Sequence, residues 1–168
     1  MKKALYAGTF DPVTLGHRDV AVRAAGLFGN LTIAVAANTG KQTLFSLEER
    51  LRLLENEFQG IEGIDVQPFS GLLCDFARRG GYEVFVRGIR NSADFFYEFQ
   101  MAGVNKMLLP AAETVFLQSS PQHEFVSSSR VREIVMLGGS AASMVSPAIE
   151  CALVQKMRQK GIMPRSEP

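Results

Sequence analysis

Short apolar runs alternate with helix-like segments along almost the whole chain. The runs predict five strands, at residues 4–7, 31–37, 64–66, 83–86 and 114–117. Residues 31–37 are apolar on both faces, which is typical of a parallel strand covered by helices on both sides. Because strands that alternate with helices form parallel sheets through right-handed crossovers, the pattern predicts a doubly wound α/β fold. We expect a five-stranded parallel sheet with helices on both faces.

The segments between these runs have the three-to-four-residue apolar spacing of helices. Predicted helices cover residues 17–28, 72–79, 93–109, 129–137 and 147–160, and a further one begins at Ser46, where Ser46 and Glu49 form a capping-box pattern. The predicted helices at residues 129–137 and 147–160 follow the fifth strand and are C-terminal additions to the sheet. A length of 168 residues favours one domain. We place that domain at residues 1–160 and expect residues 161–168 to fray.

Composition excludes several classes of function. The 18 Lys and Arg residues against 17 Asp and Glu give a net charge of +1, so no positive field is available for a nucleic-acid backbone. Two cysteines, Cys74 and Cys151, with only His17 and His123 besides, exclude a Cys/His zinc site, and both cysteines are interpreted as structural. No apolar run approaches the ~20 residues of a membrane span. We expect a soluble, cytoplasmic protein with neither nucleic acid nor membrane as a partner.

A glycine-bearing loop follows the first strand, where parallel sheets bind their ligands. It reads Gly8-Thr-Phe-Asp-Pro-Val-Thr-Leu-Gly-His17 and leads into a helix, whose N-terminus favours an anion. The loop matches neither the Walker pattern nor Gly-x-Gly-x-x-Gly, which disfavours P-loop ATPases and nicotinamide-cofactor enzymes. His17 at the helix start faces whatever binds there. The alternative is that a neighbouring carbonyl merely satisfies its ring.

Cationic and hydroxyl side chains follow the other strands. Arg87 and Arg90 flank a glycine at a strand end, and their guanidinium groups suit phosphate oxygens. The alternative is a surface pair neutralised by Asp94 or Glu98. Lys41 follows the second strand in a short loop at the same sheet edge, and the serines 127–129 precede a helix that they are expected to cap.

The loop and three further blocks resemble a known family. Thr14-Leu15-Gly16-His17 is similar to the (His/Thr)-x-Gly-His signature of the nucleotidyltransferase superfamily. The match extends, in order, to Tyr6-Ala-Gly-Thr-Phe-Asp-Pro12, Arg87-Gly-Ile-Arg90, Ala93-Asp-Phe95, Tyr97-Glu98 and Phe125-Val-Ser-Ser-Ser-Arg-Val-Arg132. Together these blocks resemble the phosphopantetheine adenylyltransferases of bacterial coenzyme A biosynthesis, over roughly residues 2 to 160. The resemblance implies a Rossmann-like dinucleotide-binding fold.

The resemblance also implies a reaction and its site. The family transfers the adenylyl group of ATP to 4′-phosphopantetheine, giving dephospho-coenzyme A and pyrophosphate. Residues implied to contact phosphopantetheine are Thr9, Lys41, Leu73 and Arg87. Those implied to contact ATP are Thr9, Phe10, His17, Gly88, Ile89, Arg90, Glu98, His123, Glu124, Phe125, Val126, Ser127, Ser128 and Ser129. His17 would stabilise the charge that develops on the α-phosphate, while Thr9 and Lys41 would orient the attacking phosphate.

The attacking phosphate is ionised at neutral pH, so the reaction needs no general base. We expect Mg²⁺ to bridge the nucleotide phosphates without a dedicated set of protein ligands. The family also implies a homohexamer and coenzyme A as a feedback ligand.

Three residues depart from the family pattern. Ala7 stands where proline is usual, and the loop after it is expected to be looser. Leu15 stands at a position often occupied by Asn, although the signature leaves this position open. His123 replaces a common Trp or Tyr; its ring can still stack, but it would make nucleotide affinity depend on pH. Two alternatives remain: adenylyl transfer to another phosphate such as nicotinamide mononucleotide, and a nucleotide sensor without catalysis.

Overall fold

A five-stranded parallel sheet organises the chain, as the alternating pattern predicts. The computed structural model describes residues 2–38, 40 and 42–162, so Lys41 and residues 163–168 of the expected tail lie outside the described residues. The strands are β1 (Ala4–Gly8), β2 (Leu31–Ala36), β3 (Ile64–Phe69), β4 (Val84–Ile89) and β5 (Glu113–Gln118). All pair in parallel, in the order β3-β2-β1-β4-β5. The fold is therefore the expected doubly wound, Rossmann-like α/β architecture.

The apolar character of β1 on both faces places it at the centre of the sheet. Leu5 and Ala7 pack on one side, whereas Ala4 and Tyr6 pack on the other, and all four are buried. Successive side chains of a strand point to opposite faces, so a central strand needs apolar residues throughout. The same reason explains the apolar run of β2, which lies between β1 and β3.

Two helical layers cover the sheet. The helices are α1 (Leu15–Phe28), α2 (Leu47–Glu57), α3 (Leu73–Gly80), α4 (Ser92–Leu108), α5 (Ser128–Met136) and α6 (Pro147–Gln159). Residues of α1, α2, α5 and α6 form one core cluster with Tyr6, Ile33 and Val86. The second cluster joins Leu5 and Phe85 to α3 and to the residues that follow α4. All six predicted helices are present within about two residues at each end.

Two strands, β3 and β4, continue well beyond the C-terminal ends that the sequence patterns indicated. β3 continues to Phe69 through Pro68, which an edge strand tolerates because one side of its backbone needs no partner. β4 continues to Ile89, so Arg87 and Gly88 lie within the strand rather than after it. Polar and glycine residues had signalled a strand end there, but pairing with β5 through Gln118 extends the ladder.

Cys74 is buried, as its interpretation as a structural residue requires, whereas Cys151 is exposed on α6 and that interpretation was wrong for it. The apolar residues around Cys151 belong to a helix with only one buried face, and Cys151 lies outside that face.

Among the described residues, no helix has both the length and the apolar character that crossing a membrane requires.

Candidate functional site

A cavity of about 290 Å³ opens at the carboxyl ends of β1 and β4. The loop after β1, the end of β4 and the first turns of α1 and α5 all reach it. Its lining residues are Tyr6, Ala7, Gly8, Phe10, Thr14, Gly16, His17, Val20, Arg87, Gly88, Arg90, Glu98, Ser119, Val126, Ser127, Ser128 and Ser129. The strands β2 and β3 lie on one side of β1, and β4 and β5 lie on the other. Where the strand order reverses in this way, a parallel sheet leaves a crevice for a ligand.

His17 is held in one orientation by the N-terminus of α1. The backbone N–H of Thr14 donates to His17 Nδ1 over 3.1 Å, and the Thr14 hydroxyl lies 3.1 Å from the same nitrogen. In return, the backbone N–H of His17 donates to Thr14 Oγ1 over 3.3 Å. Because Nδ1 accepts a backbone hydrogen bond, the proton of the neutral ring lies on Nε2. The alternative, in which a carbonyl satisfies the ring, is therefore wrong: the ring accepts at Nδ1 and keeps Nε2–H as a donor.

Burial lowers the pKa of His17 to about 4, and the charges of Arg90 and Arg87 lower it in the same direction. The ring is therefore neutral at pH 7. Phe10 contacts it edge-on, with ring centroids 5.0 Å apart, and Tyr6 packs against Phe10 at 5.4 Å. This packing limits rotation of the imidazole. The site therefore offers an uncharged, oriented N–H donor.

The two arginines lie at the same cavity, and each is bound by a carboxylate. Arg87 makes two hydrogen bonds to Glu98, of 2.5 and 2.6 Å, and donates to the Ala7 carbonyl over 2.8 Å. Arg90 contacts both oxygens of Asp94, at 2.7 and 3.0 Å. The predicted pairing with acids is thus present, but it does not remove the arginines to the surface. The pairs fix two guanidinium planes beside the cavity.

The three serines lie where α5 begins. Ser127 caps the helix, since its hydroxyl accepts from the Arg130 N–H, and the Ser128 hydroxyl donates to the Pro12 carbonyl over 2.8 Å. Two of the hydroxyls are therefore engaged within the protein, as the capping expectation required. The first-turn amides of a helix have no carbonyl partner within it, and they are the groups that bind anions.

A second cavity of about 220 Å³ adjoins the first, and it is mainly apolar. Arg87 and Glu98 line both cavities, so they mark the junction. The other lining residues come from the start of α3 and from α4: Leu72, Leu73, Cys74, Tyr97, Met101, Ala102, Val104, Asn105 and Leu108. We call this second cavity the apolar groove. Leu73, a predicted contact residue, lies here rather than in the first cavity, which we call the polar cavity.

Five predicted contact residues do not line the polar cavity as it stands: Thr9, Ile89, His123, Glu124 and Phe125. Phe125 is 71% exposed. The backbone carbonyl of Thr9 accepts from Arg50 over 2.8 Å. His123 is half-buried next to the cavity, since a Cβ placed on Gly16 would lie 3.6 Å from the His123 Cβ. Lys41 lies outside the described residues.

The departures at Ala7 and Leu15 are both accommodated locally. Ala7 lies inside β1 in register with Ala34, and its carbonyl is the acceptor for Arg87. Leu15 is the first residue of α1, and its N–H donates to the Met144 carbonyl over 2.9 Å.

Sequence reasoning missed several residues that build the site. Thr14 positions His17, and the Thr14–His17 spacing is that of a capping box with histidine in place of glutamate. Asp11 is buried, and its carboxylate accepts from the N–H groups of Leu44 and Phe45. Arg50 occupies the apolar face of α2, and a charge at such a position was the available signal. Tyr6 belongs to the block that resembles the family but had no role assigned to it, and Ser119 carried no signal in the sequence.

Within residues 2–38, 40 and 42–162, no three His, Cys, Asp or Glu side chains converge as metal ligands would. Glu98, which lines the cavity, is bound by Arg87, and Asp94 is bound by Arg90.

Comparison with known proteins gives a consistent family. Residues 5–134 match the cytidylyltransferase-like family. The chain is 46% identical over 162 residues to the phosphopantetheine adenylyltransferase of Nitrosomonas eutropha, which covers 96% of each chain. It is 48% identical over 157 residues to that of Herminiimonas arsenicoxydans, covering 94% of this chain and 96% of the relative.

Solved structures show the same fold at low sequence identity. A Plasmodium falciparum nicotinic acid mononucleotide adenylyltransferase, complexed with NaAD, matches with a TM-score of 0.66 at 12% identity, over 96% of this chain and 97% of that one. A bifunctional NMN adenylyltransferase/ADP ribose pyrophosphatase from Francisella tularensis matches with a TM-score of 0.74 at 14% identity, over 96% of this chain and 51% of that one.

The depressed pKa of His17 predicts a pH-dependent contribution to stability. The folded ring stays neutral down to about pH 4, whereas the unfolded ring takes up a proton near 6.5. Unfolding therefore binds a proton between these values, and acidification destabilises the fold. Between pH 6.5 and 5, we expect the wild type to lose about 2 kcal/mol of unfolding free energy more than His17→Gln does. Denaturant unfolding of both proteins at one protein concentration measures the difference, and parallel losses would contradict it.

Proposed function

The chain belongs to the phosphopantetheine adenylyltransferases, within the cytidylyltransferase-like family, and we propose that it transfers the adenylyl group of ATP to 4′-phosphopantetheine. The products are dephospho-coenzyme A and pyrophosphate. The alternative acceptor, nicotinamide mononucleotide, is the substrate type named for the similar solved structures, but at 12–14% identity these indicate the fold alone.

The observation that carries the proposal is the junction of a polar cavity with an apolar groove at Arg87. Phosphopantetheine combines a phosphate with a long, mainly apolar arm, and the two cavities offer matching surroundings. The phosphate would lie at the junction near Arg87, with the arm along Leu73. The side-chain amide of Asn105, which lines the groove, could pair with an amide of the arm. A nicotinamide mononucleotide acceptor has no such arm.

The reaction needs orientation and charge stabilisation more than proton transfer. An oxygen of the phosphopantetheine phosphate attacks the α-phosphorus of ATP, a new P–O bond forms, and the bond to the β-phosphate breaks with its electron pair leaving on pyrophosphate. The attacking oxygen is already ionised, so no general base takes part. The Nε2–H of His17 donates to the α-phosphate oxygen as negative charge develops. Thr9 and Lys41 orient the attacking phosphate.

The remaining predicted residues would bind Mg·ATP. Arg90, Gly88 and the amides at the start of α5 surround the polar cavity and would hold the phosphates. The nucleoside would extend towards His123 and Phe125, beside Gly16. Because Glu98 and Asp94 are engaged by Arg87 and Arg90, a Mg²⁺ ion would arrive with the nucleotide and be held mainly by its phosphates.

We further propose cytoplasmic location, where the substrates ATP and phosphopantetheine are available. Coenzyme A, which contains the product skeleton, would compete for the apolar groove and the junction and thereby act as a feedback ligand.

Pyrophosphate release tests the acceptor. With ATP and Mg²⁺, we expect release in the presence of 4′-phosphopantetheine and none above background with nicotinamide mononucleotide, because only the former fills the apolar groove. Chelation of Mg²⁺ should abolish release, and added coenzyme A should raise the apparent KM for phosphopantetheine. Release with nicotinamide mononucleotide alone would overturn the proposed acceptor. ATP binding without release under either condition would favour a sensor.

Two substitutions at position 17 test the proposed donor. His17→Ala removes Nε2–H, so we expect kcat to fall by ~10² to 10³ while ATP affinity changes only a few-fold. His17→Gln places an amide N–H near the same point and should recover part of the loss. Steady-state kinetics and ATP titration separate the two effects. Unchanged turnover in His17→Ala would remove His17 from the mechanism.

A homohexamer is supported by the family and by the exposed apolar side chains of α4. Phe96, Phe99 and Met107 are 68%, 60% and 83% exposed in the single chain. Such a cluster is typical of a surface that a second copy covers. We expect sedimentation of six 18.4 kDa chains together. Phe99→Asp should reduce the assembled mass, whereas Leu27→Asp, at an exposed apolar site on α1, should not. A monomeric wild type would contradict the proposal.

A further inference from the structure

Arg50 is a buried charge that the proposed function does not yet use. It is the largest fully buried side chain of the described residues, at 2% exposure, and lies in α2 outside the polar cavity. Burial lowers its pKa, which reflects the cost of keeping a charge there. Methionine or leucine would fill such a position without that cost. The contacts of Arg50 therefore need an explanation.

The guanidinium joins two segments at the carboxyl edge of the sheet. Its Nη1 donates to the Thr9 carbonyl over 2.8 Å and to the Ala36 carbonyl over 2.9 Å. Ala36 is the last residue of β2, and Thr9 follows directly after β1. Arg50 thus ties the loop after β1 to the end of the neighbouring strand.

The Thr9 carbonyl belongs to the peptide that links Thr9 to Phe10, and this peptide has an uncommon conformation. Phe10 has a φ of 50°, in the left-handed region that aromatic residues rarely occupy. Such a conformation persists only where surrounding contacts impose it. Arg50 supplies one such contact, and the packing of the Phe10 ring on Tyr6 and His17 supplies the other.

Fixing the carbonyl also fixes the N–H of the same peptide. In a planar trans peptide, the C=O and the N–H point to opposite sides. The Phe10 N–H therefore points away from Arg50, and it donates to no acceptor among the described residues. Phe10 lines the polar cavity together with Gly8 and His17. An unpaired N–H in this loop is suited to an anion.

We infer that Arg50 is a positioning residue for adenylyl transfer: it locks the Thr9–Phe10 peptide so that the Phe10 N–H is presented to the phosphate bound beside His17. This inference rests on the proposed function. Arg50 itself does not touch the substrate. It acts through a peptide whose other end supplies a second donor, next to Nε2–H of His17, for the charge that develops at the reacting phosphate.

Three variants and a matched control test the inference kinetically. Arg50→Met should lower kcat by ~10², the usual effect of losing one such donor, with KM for both substrates within about threefold. Arg50→Lys keeps a charged donor and should recover at least tenfold of that loss. Arg52→Met changes an exposed arginine on the same helix and should leave both constants unchanged.

The third variant removes the proposed donor itself. Phenyllactate incorporated in place of Phe10 turns the amide into an ester, which keeps the ring but lacks the N–H. It should show the same fall in kcat as Arg50→Met, and the two changes combined should be no worse than either alone. Wild-type kcat in the ester variant, or additive losses in the combined one, would overturn the inference. If Arg50→Met fails to fold, the lysine and ester variants carry the test.

A crystal structure of the Arg50→Met variant provides a readout that does not depend on the reaction. Rotation of the Thr9–Phe10 peptide relative to the wild type supports the inference, and an unchanged peptide overturns it. Pyrophosphate release and the peptide orientation together separate a failure of the proposed function from a failure of the inference about Arg50. A wild type that releases no pyrophosphate refutes the proposed function, while the peptide orientation still decides whether Arg50 is the lock.

Discussion

The position of β1 between β2 and β4 is the constraint on which the rest of the structure depends. Because the chain leaves β1 towards both edges of the sheet, the carboxyl end of β1 opens into a crevice. The loop after β1, the end of β4 and the start of α5 all converge there. Apolar residues on both faces of β1 hold it at the centre, and the polar loop that follows must therefore lie at the crevice.

Polar groups at this crevice are oriented by contacts within the protein. Thr14 fixes the tautomer of His17, Glu98 and Asp94 hold the two arginines, and Arg50 holds the loop carbonyl. A donor that is already oriented need not reorganise when charge develops on a substrate. The neutral state of His17 belongs to the same arrangement, because burial and two neighbouring cations oppose its protonation.

Much of the fold could be predicted because hydrophobic periodicity is a local signal. The five strands, the six helices and the Ser46 capping box were all confirmed, and the strand ends of β3 and β4 were not. Pairing with a neighbouring strand decides where a strand ends, and local sequence does not contain that information. The exposure of Cys151 was missed for a similar reason, since which face of α6 is buried depends on its partner α5.

The sequence by itself determined the fold class, the family and most of the residues that surround the cavity, because motifs such as Thr14-Leu-Gly-His17 are short and contiguous. Only the tertiary structure decided the roles of residues that act across the chain. Arg50 contacts Thr9 from 41 positions away, and Arg87 joins Ala7 to Glu98. The tertiary structure also decided that the polar cavity and the apolar groove meet at Arg87. Such contacts depend on the packing of α2 and α4 on the sheet, which no local pattern encodes.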